Sequence, residues 1–564
     1  MHFARAVTSA LVECVPNFSE GRDKSVIDAI ARAISGISSV KLLDVDAGAD
    51  TNRTVYTFVG APDAVSEAAF RGAEAAAALI DMSKHEGAHP RMGALDVCPI
   101  VPVSGATMDQ CVETAQALGR RLAEALKLPV YFYEYAATRP ERRNLADIRA
   151  GEYEGLRQKL ADPAWAPDAG PAIFNPRLGA TVVGAREFLI AYNVNVNTRD
   201  QKLANEVALN IREAGRLKRD SQNQVVTDDR GQQVRVPGRL KAVRAIGWYI
   251  EQYRQAQVSV NLLSYRTTPL HEVFETTREE ASKLGLVVTG SELVGMTPLE
   301  PLVEAGRFYL RKQGRSTGLP ERELVELAVR SLGLAQLSPF DPDKRIIEYA
   351  VRVSAPLVSM TLERFADEVS SNSPAPGGGS VAALAGSLGA ALAAMVANLT
   401  VGKAGYESAW APLSTLAERA QSLKTALLAA VDDDTKAFDS VLAAMRLPKL
   451  TEEQQRARQA ALAPAYEAAT AVPLATARLC LQALELAESA AASGNRNSVS
   501  DAGVGALLAK AGLDAAVMNV RINLPSVRDG AFKSASLAEI ADLQAKAASG
   551  LARTLAIVEA SLKS

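Results

Sequence analysis

Cysteine is scarce in this 564-residue chain: Cys14, Cys98, Cys111 and Cys480 stand far apart, and no C-x-x-C pair occurs. That spacing excludes a disulfide scaffold, a zinc ribbon and a thioredoxin-like redox pair. It leaves each thiol as a small core residue suited to a reducing compartment. Charge of one sign is also missing. With 62 Lys and Arg against 64 Asp and Glu, the net charge is -2, which gives no footprint for nucleic acid or an anionic membrane surface. Histidine is limited to His2, His85, His89 and His271. The HEGAH segment contains a glycine and runs into Pro90, so it cannot form the helical H-E-x-x-H metal motif, and no metal is expected. No G-K-[ST] phosphate loop is present. The opening MHFARAVTSALVECV lacks the apolar core and cleavage site of a secretory signal, so a cytoplasmic location is expected. One uncharged run, GGGSVAALAGSLGAALAAMVANLTVG, is long enough to span a bilayer. Ala, Gly and Ser dominate it, so it is expected to be a close-packed bundle or subunit-interface helix, with no membrane partner.

A chain of this length exceeds one core, since single cores stop growing at roughly 250–300 residues. Residues 1–180 alternate strand and helix signals in the order β-α-β-β-α-β with an added α-β. LVECVPNF, VKLLDVDAG, RTVYTFVG, ALDVCPIVPV and PVYFYEYA read as strands. Asp23 caps a helix whose Val26, Ile27, Ile30 and Ile34 recur at helical spacing. A Pro- and Gly-rich stretch, ADPAWAPDAGPAIFNPRLGA, leads into residues 181–335, where a similar order returns. The fold class expected is α+β: two related halves, each a sheet with helices on one side, with a ligand groove between the sheets. Within the second half, DSQNQVVTDDRGQQVRVPGR is polar, with a turn signal at DDRG, and reads as an inserted surface hairpin. Residues 336–359 form a linker. From 360 to 564 the chain is Ala- and Leu-rich with long 3.6-residue periodicity, the pattern of an all-α helical bundle.

Several residues carry possible chemistry. His89 precedes Pro90, which biases it to extended backbone in a loop entering a strand, and Arg91 follows. It reads either as a catalytic imidazole or as a structural one. His271 opens a helix, where a structural role is favoured. Asp44 and Asp46 are two apart on one strand that leads to Asn52 and Arg53. They serve either as strand-end solvation or as the carboxylate that orients and charges a histidine. In the helical part, NSPAPGGGSVAAL opens through Gly377, Gly378 and Gly379 into a helix, a start that either permits close packing or receives an anion. Ser500 and Asp501 stand near another helix start, readable as plain capping. The acidic triplet in DDDTKAFDSVLAAMRLPK reads as a solvated face.

These segments carry a resemblance. ECVPNFSEGRD, LLDVDAGADTNRTVYTFVG, HPRMGALDVCP, RAGEYEGL, AIGWYIEQYRQAQVSVNLLSY, PLHEVFE and RIIEYAV resemble the formiminotransferase domain of the formiminotransferase-cyclodeaminase family. PAPGGGSVAALAGSLGAALAAMV, FDSVLAAMRLPK, SVSDAGVGALL and NVRINL resemble its cyclodeaminase domain. The inserted SQNQVVTDDRGQQVRV is longer than the corresponding family loop. The resemblance implies a bifunctional folate enzyme. A formimino group moves from N-formimino-L-glutamate to the 5-nitrogen of tetrahydrofolate, and 5-formiminotetrahydrofolate then closes to 5,10-methenyltetrahydrofolate with loss of ammonia. It implies His89 as the transferase imidazole and Asp46 as its partner. Tetrahydrofolate, polyglutamylated, is the implied co-substrate, and a homo-oligomer built from dimers the implied assembly. Asn17, Asn52, Arg53, Arg91 and Asn261 are expected on the substrate or folate side of the first site. Gly377, Gly378, Gly379 and Ser500 are expected there in the second. With no histidine after His271, the acid that releases ammonia must be another group. Asp501 is the first candidate, ahead of Asp434 and Lys449. Two other readings stand beside this one: transferase activity alone with an oligomerising helical domain, or a folate-binding scaffold without turnover.

Overall fold

The computed structural model describes residues 10–87, 90–351 and 355–563. The chain forms two compact units, Met1–Pro301 with Leu332–Arg352, and Leu302–Ser331 with Val353–Ser564.

The first unit holds two sheets. The larger contains β1 (Leu11–Cys14), β2 (Asn17–Phe18), β3 (Val40–Gly48), β4 (Arg53–Gly60), β5 (Leu95–Ser104), β6 (Val130–Glu134) and β7 (Thr181–Ala185). β3 pairs β4, and β7 lies between β5 and β6 in parallel, so the sheet is mixed. LVECVPNF is two strands, because Val15 and Pro16 interrupt it. Helices α1 (Lys24–Ser35), α2 (Pro62–Leu79) and α3 (Met108–Leu126) cover one face. There Phe18, Tyr56, Phe58, Leu95 and Ile100 pack with Ile30, Ile34, Phe70 and Leu118. Asp23 caps α1 as expected, accepting from Ser25 N, and Val26, Ile27, Ile30 and Ile34 are its buried face. Alternation turns the other residues of each strand to a face without these helices. Two short helices, α4 (Leu145–Arg149) and α5 (Glu152–Ala161), precede β7.

The second sheet runs β11–β12–β8–β13 in space, from β8 (Ile190–Val196), β11 (Val243–Ile250), β12 (Gln255–Leu262) and β13 (Val288–Val294). Helices α6 (Gln201–Ile211) and α7 (Leu270–Lys283) pack on one side of it. The inserted stretch pairs at its base as β9 (Arg216–Leu217) and β10 (Arg235–Val236). It is a three-legged meander, one leg more than a simple hairpin. Asp220 Oδ1 accepts from Gln224 N and Asp228 Oδ1 from Gln232 N, each closing a turn, with Gly231 at φ 75°.

In the second unit, α8 (Leu299–Lys312) contributes from Leu302 and α9 (Glu321–Leu332) up to Ser331. The expected 181–335 subdomain therefore includes residues 302–331, which pack with the helical unit, and the expected 336–359 linker opens with residues that pack with the first unit. The reason is a set of hydrogen bonds. Ser316 Oγ donates to Asn398 Oδ1 (2.6 Å), Asn398 Nδ2 to Gly318 O (3.0 Å), and Gln421 Nε2 to Gly318 O (3.1 Å). Beyond short α10 (Pro342–Arg345) and α11 (Ile347–Ala350) of the first unit come α12 (Leu362–Ser370), α13 (Gly378–Thr400), α14 (Trp410–Met445), α15 (Glu452–Ser493), α16 (Val499–Asn523) and α17 (Gly530–Leu562). Alanine dominates their core. Among the described residues, Gly378–Thr400 and Arg496–Ser526 are long and apolar enough to cross a membrane. Of the apolar window in Gly378–Thr400, 61% is buried inside the fold, consistent with a bundle helix. Gly389 meets the backbone of Gly505, and Gly512 meets Ala382 and Gly386, so α13 and α16 run antiparallel at close range.

Candidate active sites

Strand register builds the first site. Asp46 lies opposite Val55, Val55 opposite Asn17, and Asn17 opposite Val97, a row across four strands on the face away from α1–α3. Asp46 is exposed there. Arg53 shares the face, and burial pulls its guanidinium below the usual value while Asp96 and Asp46 oppose that change. Asn17 is only 4% exposed. Its Nδ2 donates to Val15 O (2.9 Å), while its Oδ1 has no partner among the described residues. A buried acceptor without a donor carries a desolvation cost of roughly 1–3 kcal/mol.

Two other expected contact residues are occupied. Asn52, in left-handed backbone at φ 47°, accepts from Gly21 N (3.0 Å) and donates to Glu86 O (2.9 Å). Its carbonyl is 2.8 Å from His85 Nε2. Arg91 was expected to hold a substrate carboxylate. Its Nη1 donates to Glu154 (2.8 Å) and Glu152 (3.3 Å), its Nη2 to Glu154 (2.6 Å) and His85 O (3.2 Å), and its Nε to His85 Nδ1 (3.4 Å). Its donors have partners in this structure, and through them Arg91 and Asn52 tie the segment around His85 to the sheet and to α5. His89 lies outside the described residues. His271 stands on α7, in the helix layer behind the second sheet.

Sequence reasoning missed Asp96. It is 1% exposed, accepts from Met92 N (2.8 Å) and pairs with Arg149. Burial pushes its carboxyl up, against Arg149, Met92 N–H and Arg53. Also missed was a row of buried amides on the second sheet's helix-free face. Gln257 Nε2 donates to Asn195 Oδ1 (2.7 Å), Asn193 Nδ2 to Glu292 (2.9 Å), and Trp248 Nε1 to Gln257 Oε1 (3.1 Å). The Asn-Val-Asn-Val alternation of β8 was the available signal. Asn261 shares this face, exposed and opposite Arg244 on β11.

The second site forms where α13 begins. A Cβ on Gly379 would overlap the Asp434 carboxylate, and the Asn519 amide lies against Gly378. Ser380 Oγ donates to Val431 O (2.9 Å) and to Asp434 Oδ2 (3.3 Å). Burial raises the Asp434 carboxyl, with the Ser380 hydroxyl pulling it back. The acidic triplet is therefore three environments rather than one solvated face. Asp432 is 4% exposed and accepts from Leu357 N (3.0 Å), while Asp433 pairs with Lys436 at the surface (2.9 Å).

Asp501 and Ser500 do not join this cluster. They occupy the first turn of α16, after Ser498, while Asn519 at its far end meets Gly378. Eighteen residues of helix separate Asp501 from Asn519, roughly 27 Å at 1.5 Å per residue. Lys449 is exposed between α14 and α15. The buried carboxyl beside the glycine-rich start is Asp434.

Comparison with known proteins divides the chain into three stretches and places residues 302–331 with the first part of the chain rather than with the helical part. Residues 11–186 match the family described as formiminotransferase domain, N-terminal subdomain, residues 191–352 the formiminotransferase domain, and residues 361–542 formiminotransferase-cyclodeaminase. The formimidoyltransferase-cyclodeaminase of Mus musculus is 47% identical over 556 residues, covering 98% of this chain and 99% of that one. The glutamate formimidoyltransferase of Streptococcus pyogenes serotype M1 is 40% identical over 301 residues, 53% of this chain and 93% of its own. The methenyltetrahydrofolate cyclohydrolase of Methylorubrum extorquens is 44% identical over 187 residues, 33% of this chain and 90% of its own. With two such units matched along almost its whole length, the chain belongs to the formimidoyltransferase-cyclodeaminase family.

Proposed function

We propose that the chain is a bifunctional folate enzyme, glutamate formimidoyltransferase followed by formimidoyltetrahydrofolate cyclodeaminase. The observation that carries this reading is the 98% coverage of the chain by a relative that bears both activities in its name. In the first step the 5-nitrogen of tetrahydrofolate attacks the formimino carbon of N-formimino-L-glutamate. The tetrahedral carbon then loses the glutamate nitrogen, which must gain a proton. One imidazole, His89, takes the proton from the attacking nitrogen and returns it to the leaving one, typically for about 10²–10⁴ in rate. Asp46 stabilises the imidazolium, and Arg53 on the same face offers a cation for a substrate carboxylate. The unpartnered Asn17 Oδ1 supports placing the folate or formimino N–H groups on this row.

In the second step the 10-nitrogen attacks the formimino carbon and the C–N bond to the departing amine breaks. Products are ammonia and the 5,10-methenyl bridge. The attack is intramolecular, so proximity supplies much of the acceleration. Asp434 donates the proton to the departing nitrogen, a role supported by a raised carboxyl at a helix start. The Gly377–Gly379 backbone offers N–H groups to folate carboxylates.

Four finer readings belong to the same proposal. The enzyme is cytoplasmic, serves histidine degradation, uses polyglutamylated folate, and assembles from dimers. The last is supported by exposed apolar side chains on the antiparallel neighbours α13 and α16, Val381, Leu388 and Leu399 with Leu507, Met518 and Ile522. The Methylorubrum extorquens relative favours a second reading for the helical unit, hydrolysis of the methenyl bridge. Mixing the enzyme with N-formimino-L-glutamate and tetrahydrofolate, and following methenyltetrahydrofolate absorbance and ammonia, separates these. Both signals should rise together. Glutamate release with neither absorbance nor ammonia leaves transfer alone, glutamate and ammonia without lasting absorbance favour hydrolysis of the bridge, and no glutamate release removes the proposal.

A further inference from the structure

A cleft of about 560 Å³ opens along the edge of β11, and neither Asp46 nor Arg53 lines it. Arg212, Arg235 and Arg244 line it, with Glu213 as the single acid. Glu213 is turned elsewhere, accepting from Ala242 N (2.8 Å) and facing Lys241 (3.6 Å). Among the described residues, no carboxylate forms an ion pair with any of the three guanidiniums.

Their placement is built. Arg212 Nε donates to Gly215 O (2.9 Å) and Nη1 to Ala245 O (3.3 Å), which fixes that guanidinium against the strand edge. Gly215 has φ 56°, and any Cβ there would overlap Val236 O, so the base of the insertion lies directly on the end of α6. That contact brings Arg235 of β10 into the cleft, where Nη1 donates to Ala214 O (3.4 Å). Burial and the neighbouring Arg235 both lower the Arg212 value, the signature of like charges held together. The strand edge adds a donor. Val243 O accepts from Glu213 N (2.9 Å) and Gly247 N donates to Asn205 Oδ1 (3.2 Å), so alternate residues of β11 turn their backbone groups outward. Ala245 N–H points to that same edge.

Three cations without counterions in a concave site repel one another unless an anion sits among them, and a cleft focuses their field. Guanidinium forks match carboxylate and phosphate oxygens with two hydrogen bonds each. The geometry points to a binding site for a small anion carrying two or more negative charges, as carboxylates or phosphate, built jointly by the edge of β11 and the residue 216–236 insertion. This site does not depend on formimino transfer.

Isothermal titration of the full-length protein with citrate, and separately with inorganic phosphate, at low ionic strength tests the site. Saturable one-to-one binding is expected for at least one probe, weakening steeply with added salt. Citrate alone identifies a carboxylate ligand, and phosphate alone a phosphate ligand. Arg235→Gln and Arg244→Gln, both at exposed positions, should each weaken binding by about tenfold. Should Arg244→Gln melt early, the Arg235→Gln variant carries the comparison. Absence of saturable binding by either probe, or affinity unchanged in the folded variants, overturns the proposal.

Discussion

Glu13 shows how far a single side chain can set the behaviour of the whole fold. It sits in β1 between Val59 and Val101, 5% exposed. Burial raises its carboxyl from 4.5 to about 7, with Arg186 pulling the other way. The folded state thus keeps a proton that the unfolded chain releases above pH 4.5. Its stabilising effect is complete below about pH 4.5 and is lost as pH rises to about 7. The difference amounts to about 3 kcal/mol. Glu13→Gln should therefore match the parent in urea unfolding at pH 4 and exceed it by up to about 3 kcal/mol at pH 8. An equal gain at both pH values would show that Glu13 does not titrate in this way. The residue scale is also where reading the sequence reached its limit. The side chains of Asn52 and Arg91 look ready for a ligand on paper, but their donors are spent on His85, Glu86, Glu152 and Glu154. Asn17, by contrast, keeps an acceptor with no partner among the described residues, and nothing in its neighbours' identities distinguishes it from Asn52.

At the scale of elements, the apolar pattern located β3, β4, β5 and β6 and the helical character of residues 360–564, because each element buries a face or a stripe. It left α4 and α5 unread. These are short and bury only Ile148, Leu156 and Leu160 among charged neighbours, too few apolar residues to show a period. Periodicity also could not sort the acidic triplet. Three consecutive residues of a helix point about 100° apart, so Asp432, Asp433 and Asp434 meet backbone, solvent and the start of α13 in turn. The glycine at position 379 exists for that last contact. Gly379→Ala should displace the Asp434 carboxylate and slow ammonia release by about a hundredfold, with glutamate release unchanged. Unchanged ammonia release in a folded Gly379→Ala protein would separate this helix start from the chemistry.

Across the molecule, composition gave the division into an α+β part and a helical part, but placed the boundary by character rather than by contact. Residues 302–331 are helical and amphipathic, and their Ser316–Gly318 turn is satisfied by Asn398, Ser414 and Gln421. A helical fragment starting at residue 302 should melt several degrees above one starting at 360, and equal melting would show that these contacts add no stability. The account as a whole claims two chemically separate sites acting in sequence. Asp434→Asn in the full-length protein, given N-formimino-L-glutamate and tetrahydrofolate in single turnover, reads both at once. Glutamate should be released at the parent's rate while ammonia and methenyltetrahydrofolate fail to form. Ammonia produced at the parent's rate, or glutamate release lost together with it, would contradict the account.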